Sequence, residues 1–125
     1  MRRLVALLFL ASGCATYRDD LSRGQRMYLD THYDQALAIW RVLERDFDSL
    51  SPAEQSRYAH LRGMTDYRLG LRADARHWLA IAKATNEAHP GGIDAETAPQ
   101  LERALEELNQ ETYAMLPGPD PKPKQ

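Results

Sequence analysis

The sequence predicts an all-α protein: a short helical-repeat array of two helix pairs followed by a C-terminal capping helix. Three observations predict it. Apolar residues recur at helical spacing in three separate stretches, with no alternating strand pattern between them. The stretches are separated by recognisable helix start and stop signals. Finally, shifting the chain by 39 residues lays Gly24 on Gly63, Tyr28 on Tyr67, Ala36 on Ala75, Trp40 on Leu79 and Leu43 on Ala82.

Residues 1–13 stand outside this array. Arg2 and Arg3, an apolar run from Leu4 to Ala11 and the small residues Ser12 and Gly13 read as a targeting signal. The run is too short for the roughly 20 apolar residues of a membrane-spanning helix. Residues 14–21 read as a short polar lead, and 22–116 as the folded domain. In "HYDQALAIWRVLERDF", Tyr33, Ala36, Leu37, Trp40, Leu43 and Phe47 form one stripe. A helix then starts near Pro52, with Ser51 as N-cap and Glu54 completing a capping box, and ends near Gly70, a residue that accepts positive φ. The next carries Ala75, Trp78, Leu79 and Ala82 on one face and stops at His89-Pro90-Gly91-Gly92. The last starts between Asp94 and Ala98, with Thr97 and Gln100 as a second capping-box pair. It is expected to bury Leu101, Ala104, Leu105, Leu108 and Met115 and to leave Glu102, Glu106, Glu107 and Glu111 in water. Residues 117–125, rich in proline and charge, read as a flexible tail.

Small residues at Gly24, Gly63, Ala36 and Ala75 let paired helices approach, while Tyr28, Tyr67, Trp40 and Leu79 fill the space between them. This constellation resembles the tetratricopeptide repeat. The second unit carries the likeness best, through Gly63, Leu69, Gly70, Ala75, Leu79 and Ala82, with Tyr67 one place beyond the usual aromatic. In the first unit Gly24, Tyr33, Ala36 and Trp40 fit, whereas Thr31 replaces the turn glycine and Leu43 the last alanine. The family's early tryptophan is missing from both. The 39-residue period exceeds the family's usual one and implies an extended turn around Asp48 to Ser51. An unrelated helical bundle is the alternative, since amphipathic stripes are common.

Ala11-Ser12-Gly13-Cys14 resembles the lipobox of bacterial lipoproteins, with Ala11 where leucine is usual. The resemblance implies acylation of Cys14, the only cysteine, after cleavage before it, and Ala15 next to it implies sorting to the outer membrane, facing the periplasm. Several acyl chains would hold the protein durably, at about 0.8 kcal/mol per buried methylene. Ordinary secretory cleavage after Ala15, which would discard Cys14, is the alternative.

Composition and motifs argue for binding rather than chemistry. The formal charge is −2, and loss of Arg2 and Arg3 leaves 14 basic against 18 acidic residues, or −4, which gives no attraction to nucleic acid. No zinc-protease motif or nucleophile elbow occurs, and His32, His60, His77 and His89 are scattered, so neither an enzyme, a metal site nor a cofactor is expected. Arg57, Arg62, Arg68, Arg72 and Arg76 form a local basic cluster that helical geometry spreads around the axis. The repeat resemblance implies a ligand on the concave face: Tyr28 in the first unit, and Arg57, His60, Met64, Tyr67 and Arg68 in the second. Arg18, Leu21, Gln25 and Leu29 complete the first unit's share. An acidic or extended segment of another envelope protein would suit such a face. Pairing of two copies through the apolar repeat ends is also expected. A domain lying on the membrane or cell wall without a dedicated protein ligand is the second functional class.

Overall fold

The computed structural model describes residues 12–118, with side chains from Tyr17 onward. Most of the expected signal segment, the Cys14 side chain and most of the proline-rich tail lie outside the described residues. The described residues form five α-helices: α1 (Ser12–Leu29), α2 (Tyr33–Leu43), α3 (Pro52–Arg68), α4 (Arg72–Ala88) and α5 (Ala98–Met115), with a 3-10 helix at Glu44–Ser49 after α2. The fold is all-α: α1 pairs with α2, α3 with α4, and α5 closes the array against α4 and α3. No strand occurs among the described residues.

Each helix pair is built around a glycine that a large residue covers. A Cβ added to Gly24 would lie 2.6 Å from the Trp40 indole, and one added to Gly63 would lie 2.7 Å from the Leu79 side chain. Both pairs are therefore held at a separation only glycine permits, and the same relation recurs at the 39-residue offset. Ala36 and Ala75 are fully buried beside them.

The turns repeat as well. At the end of α3, Leu71 N donates to Asp66 O and Gly70 N to Tyr67 O; at the end of α1, His32 N donates to Met27 O and Thr31 N to Tyr28 O. This is one Schellman motif written twice. Its left-handed position is Gly70 in the second copy, with φ of 77°, and Thr31 in the first, with φ of 63°. A β-branched residue is strained there. Thr31→Gly is thus expected to raise the unfolding free energy by about 1 kcal/mol, the relieved strain exceeding the added chain entropy of the unfolded state. Chemical denaturation checks it, and a loss of stability would show that Thr31 contributes more than its backbone costs.

At α3 the Ser51–Glu54 capping box forms as expected, with Glu54 N donating to Ser51 Oγ (3.2 Å) and Ser51 N to Glu54 Oε2 (3.0 Å). The extended turn between the pairs is the 3-10 helix Glu44–Ser49, which carries Phe47 back to the core. There an aromatic cluster packs edge to face: Trp40 against Tyr58 (5.7 Å between centroids), Tyr58 against Trp78 (5.3 Å) and Phe47 against Trp78 (5.6 Å). Trp40 Nε1 donates to Thr65 Oγ1 (2.9 Å), and Tyr58 Oη to the Trp40 carbonyl (2.7 Å). Burial pushes the Tyr58 phenol up to about 12.

A buried ionic network lies beside this cluster. Arg62 Nε donates to Asp66 Oδ2 (3.1 Å) and Nη1 to Glu44 Oε2 (3.0 Å) and Tyr58 Oη (3.2 Å), while the guanidinium stands over the Trp78 ring at 5.3 Å. Asp66 is fully buried and its Oδ1 has no partner among the described residues. Burial raises its carboxyl pKa despite the pull of Arg62.

Several expectations need correction. Residues 14–21 are not a linker: α1 runs through them, Tyr17 packs against the core and Leu21 is buried within it. Thr97 and Gln100 form no capping box, because the Thr97 hydroxyl donates to Asp94 Oδ1 (2.8 Å). Met115 is 83% exposed, one turn past Glu111, which accepts from Arg72 of α4. The acidic face of α5 is only partly left to water. Glu107 and Glu111 both accept from Arg72, and Glu102 from Lys83 (3.0 Å), so it also fastens the cap to its neighbours.

Candidate functional site

Helices α1, α3 and α5 line one side of the molecule, and two adjoining clefts open there. The first, of about 360 Å³, lies between α1, α3 and the segment from Gly92 to Gln100; Gln25, Tyr28, Leu29, Arg57, His60 and Asp94 are among its walls. The second, of about 350 Å³, lies between α3 and α5 and is lined by Met64, Tyr67, Arg68, Gln100, Arg103, Ala104 and Glu107. Gln100 borders both, so the two clefts adjoin along α3 and together make up its groove face.

The groove exists because its walls are fixed from behind. Gly24 and Gly63 hold α1 and α3 to their partner helices. Gly92 touches the N-terminal turn of α3 so closely that a Cβ would collide with Ala53 O and Ser56 Oγ. This contact sets the segment after α4 as the third wall of the first cleft. Asp94 shapes the rest of that segment by accepting from Thr97 N (2.8 Å) and Glu96 N (3.1 Å), contacts that keep its carboxyl below the usual range.

All six partner-binding residues expected from the sequence border this groove, in different states. Tyr28, Arg57 and His60 fall in the first cleft, and Met64, Tyr67 and Arg68 in the second. Arg57 is half-buried and donates from Nε to Gln25 Oε1 (3.2 Å) across to α1. Arg68 is exposed, and its guanidinium reaches the half-buried Tyr28 phenol, whose pKa burial raises. Tyr67 donates its hydroxyl to Glu107 Oε2 (2.6 Å) and lies under the Arg72 guanidinium at 5.0 Å, so it joins α3 to α5. That bond lowers the Glu107 pKa and raises that of Tyr67. Met64 is buried and contributes only floor.

His60 differs from the other histidines. Rather than lying at the surface like His32, His77 and His89, it is only 7% exposed, and its Nδ1 has no hydrogen-bond partner among the described residues. Burial lowers the imidazole pKa, against a smaller opposite pull from Asp94. Leaving a buried polar atom unpaired costs about 1–3 kcal/mol, so this position is an energetic weak point of the cleft wall.

Sequence reasoning missed Gln100 and Arg103 of α5 and the segment around Asp94. Arg103 is exposed and faces the groove between Gln100 and Glu107, yet in sequence it reads as one charge on a mixed polar face. Conversely, Leu21 belongs to the core and Arg62 to the buried network, so neither reaches the groove. Arg72 and Arg76 turn to α5, where Arg76 Nε donates to Asn109 Oδ1 (2.7 Å).

No group of three or more histidine, cysteine, aspartate or glutamate side chains is placed to hold a metal ion among the described residues. No helix among the described residues is long and apolar enough to cross a membrane. Comparison with protein families, with curated proteins and with solved structures returns no match for this chain.

Proposed function

We propose that this chain is a bacterial envelope lipoprotein, anchored through acylated Cys14 in the outer membrane, that serves as an interaction scaffold or assembly factor through two tetratricopeptide-like units. It supplies binding, and chemistry is left to its partner. The observation that carries the reading is convergence. Six residues chosen from the repeat pattern border two adjoining clefts on one face, and the Nδ1 of a buried histidine there has no hydrogen-bond partner among the described residues. The signal-like start, the lipobox resemblance and the lone cysteine support the anchor.

In-cell photo-crosslinking tests the docking reading. A photoreactive residue replaces Leu29, which is 66% exposed at the groove's rim, or Arg68; Val42, exposed on α2, serves as the control position. One dominant protein adduct from the first two and none from Val42 is the expected result. Folded variants that give no adduct from either groove position would remove the docking reading in favour of a domain resting on the membrane or cell wall. In the same cells, an alkyne fatty acid should label the wild type and leave Cys14→Ser unlabelled.

A further inference from the structure

The two ends of the domain differ in chemistry. Three contacts define the end nearest Cys14: Arg18 of α1 pairs with Glu54 in the first turn of α3 (3.5 Å), Gln55 Nε2 donates to Phe47 O of the 3-10 helix (3.0 Å), and Gly92 touches Ala53. Carboxylates crowd this end. Asp19, Asp48, Glu87, Asp94 and Glu96 lie in or beside those segments, and none forms an ion pair among the described residues. Of the arginines there, Arg18 is engaged by Glu54 and Arg23 by Asp20 (2.9 Å), which leaves Arg45 to oppose them.

The far end is apolar instead. There the turn between α3 and α4 meets the ends of α1 and α5, because Arg68 reaches Tyr28 and Arg72 Nε donates to Glu111 Oε2 (3.0 Å). Leu29, Tyr113, Met115 and Leu116 are exposed in that region, and Val42 is the other large apolar side chain exposed among the described residues.

We propose that the acidic end of the domain faces the bilayer as a collar that anionic headgroups repel, which keeps the domain from lying down and turns its apolar end away from the membrane. The proposal rests on the anchor reading above and says which surface the lipid meets. Tyr17 packs against the core three residues after Cys14, so the domain has no slack with which to bring its far end to the headgroups. Asp19 is five helical steps, about 7.5 Å, from Cys14, inside the roughly 8 Å over which charges act at physiological salt. The negative potential that draws basic segments to such a leaflet pushes these carboxylates off. The apolar end stands about 25 Å further out, the length of the 17 residues of α3, and is outside that range. Lipid charge and salt thereby control the tilt of the domain.

The test uses the protein isolated from cells with its anchor, checked by mass and reconstituted in vesicles. With Cys14 acylated, a fluorescent dye goes only to an introduced thiol, Ser49→Cys at the near end or Ala73→Cys at the far end, both exposed positions. A nitroxide on the lipid headgroup quenches a dye that comes close. Quenching should be severalfold stronger at position 49 than at position 73. In vesicles containing phosphatidylglycerol, lowering the salt from about 0.15 M to about 0.01 M should weaken quenching at position 49, because the Debye length grows from about 8 Å to about 30 Å. Vesicles of phosphatidylcholine should show no such change. Glu87→Lys combined with Glu96→Lys, both at exposed positions, should abolish the salt effect and leave the melting temperature unchanged. Equal quenching at the two positions, stronger quenching at position 73, no salt effect on anionic vesicles, or a lysine variant that keeps it would each overturn the proposal. An unacylated Cys14 would overturn the anchor itself, and the mass shows that before any quenching is measured, so the two failures are told apart.

Discussion

Trp40→Ala is expected to lower the unfolding free energy by about 3–5 kcal/mol, measured by urea or thermal unfolding. Trp40 is fully buried, lies over Gly24, packs on Tyr58 and donates to Thr65. Its loss opens a cavity where α1, α2 and α3 meet, and glycine offers no side chain to collapse into it. Domains of this size hold about 5–15 kcal/mol in all, so a large fraction of the protein would unfold at modest temperature. Trp40→Leu installs the residue that the second unit carries at the same place, Leu79, and should recover about half of the loss. A loss below about 1 kcal/mol for the alanine variant would mean that the first pair is not held by this contact.

Arg62→Met is the second large effect, about 3–5 kcal/mol at neutral pH, because it leaves the Asp66 carboxylate buried without its cation. The pH dependence has a definite sign. The folded pKa of Asp66 already lies above the unfolded one, and removing Arg62 raises it further. A raised folded pKa makes the folded state the better proton acceptor, so the deficit is smallest below the unfolded carboxylate pKa of about 3.9 and grows as pH rises through the folded value. The difference between variant and wild type should therefore narrow on acidification. Adding Asp66→Leu to Arg62→Met should restore most of the loss at neutral pH, since an apolar pair of similar volume removes both desolvation penalties. A double variant no more stable than the single one would show that the network, rather than burial of one charge, holds α3 to the 3-10 helix.

These two sites also mark what could be read from sequence. Gly24 with Trp40 and Gly63 with Leu79 were legible because each is a close approach that only one residue type permits, repeated at a fixed offset. Thr31 was legible as a departure from the same pattern, and its positive φ shows that the backbone kept the turn when the glycine was lost. Tyr58, Arg62 and Asp66 were not legible. Charged residues four apart on a helix ordinarily describe a wet face, and α3 looks too polar to be central. It is nonetheless buried at Ser56 and from Tyr58 to Asp66, because α1 and α5 cover one side and α2 and α4 the other. Burial of every residue from Tyr58 to Asp66, whichever way it points, erases the one-sided stripe that sequence reading depends on.

The groove was half legible for a related reason. The share given by α1 and α3 follows the repeat, so Tyr28, Arg57, His60 and Arg68 could be chosen by position. The wall from Gly92 to Arg103 has no counterpart in the repeated pattern. It depends on the contact of Gly92 with Ala53 and Ser56, which links residues far apart in sequence and leaves no local signal.

The unbroken course of α1 bears on how such a scaffold would work at a membrane. Only Ala15 and Thr16 separate Cys14 from Tyr17, where packing against the core begins, and the helix continues through both. With a lipid on Cys14, the span to Tyr28 is fourteen helical steps, about 20 Å. A receptor on a slack tether searches a volume, whereas one mounted on a stiff strut meets its ligand at a set height and in a set orientation. Reach would then be a property of this protein as much as affinity is, and inserting a flexible stretch between Cys14 and Tyr17 would change where the groove is presented without touching any residue in it.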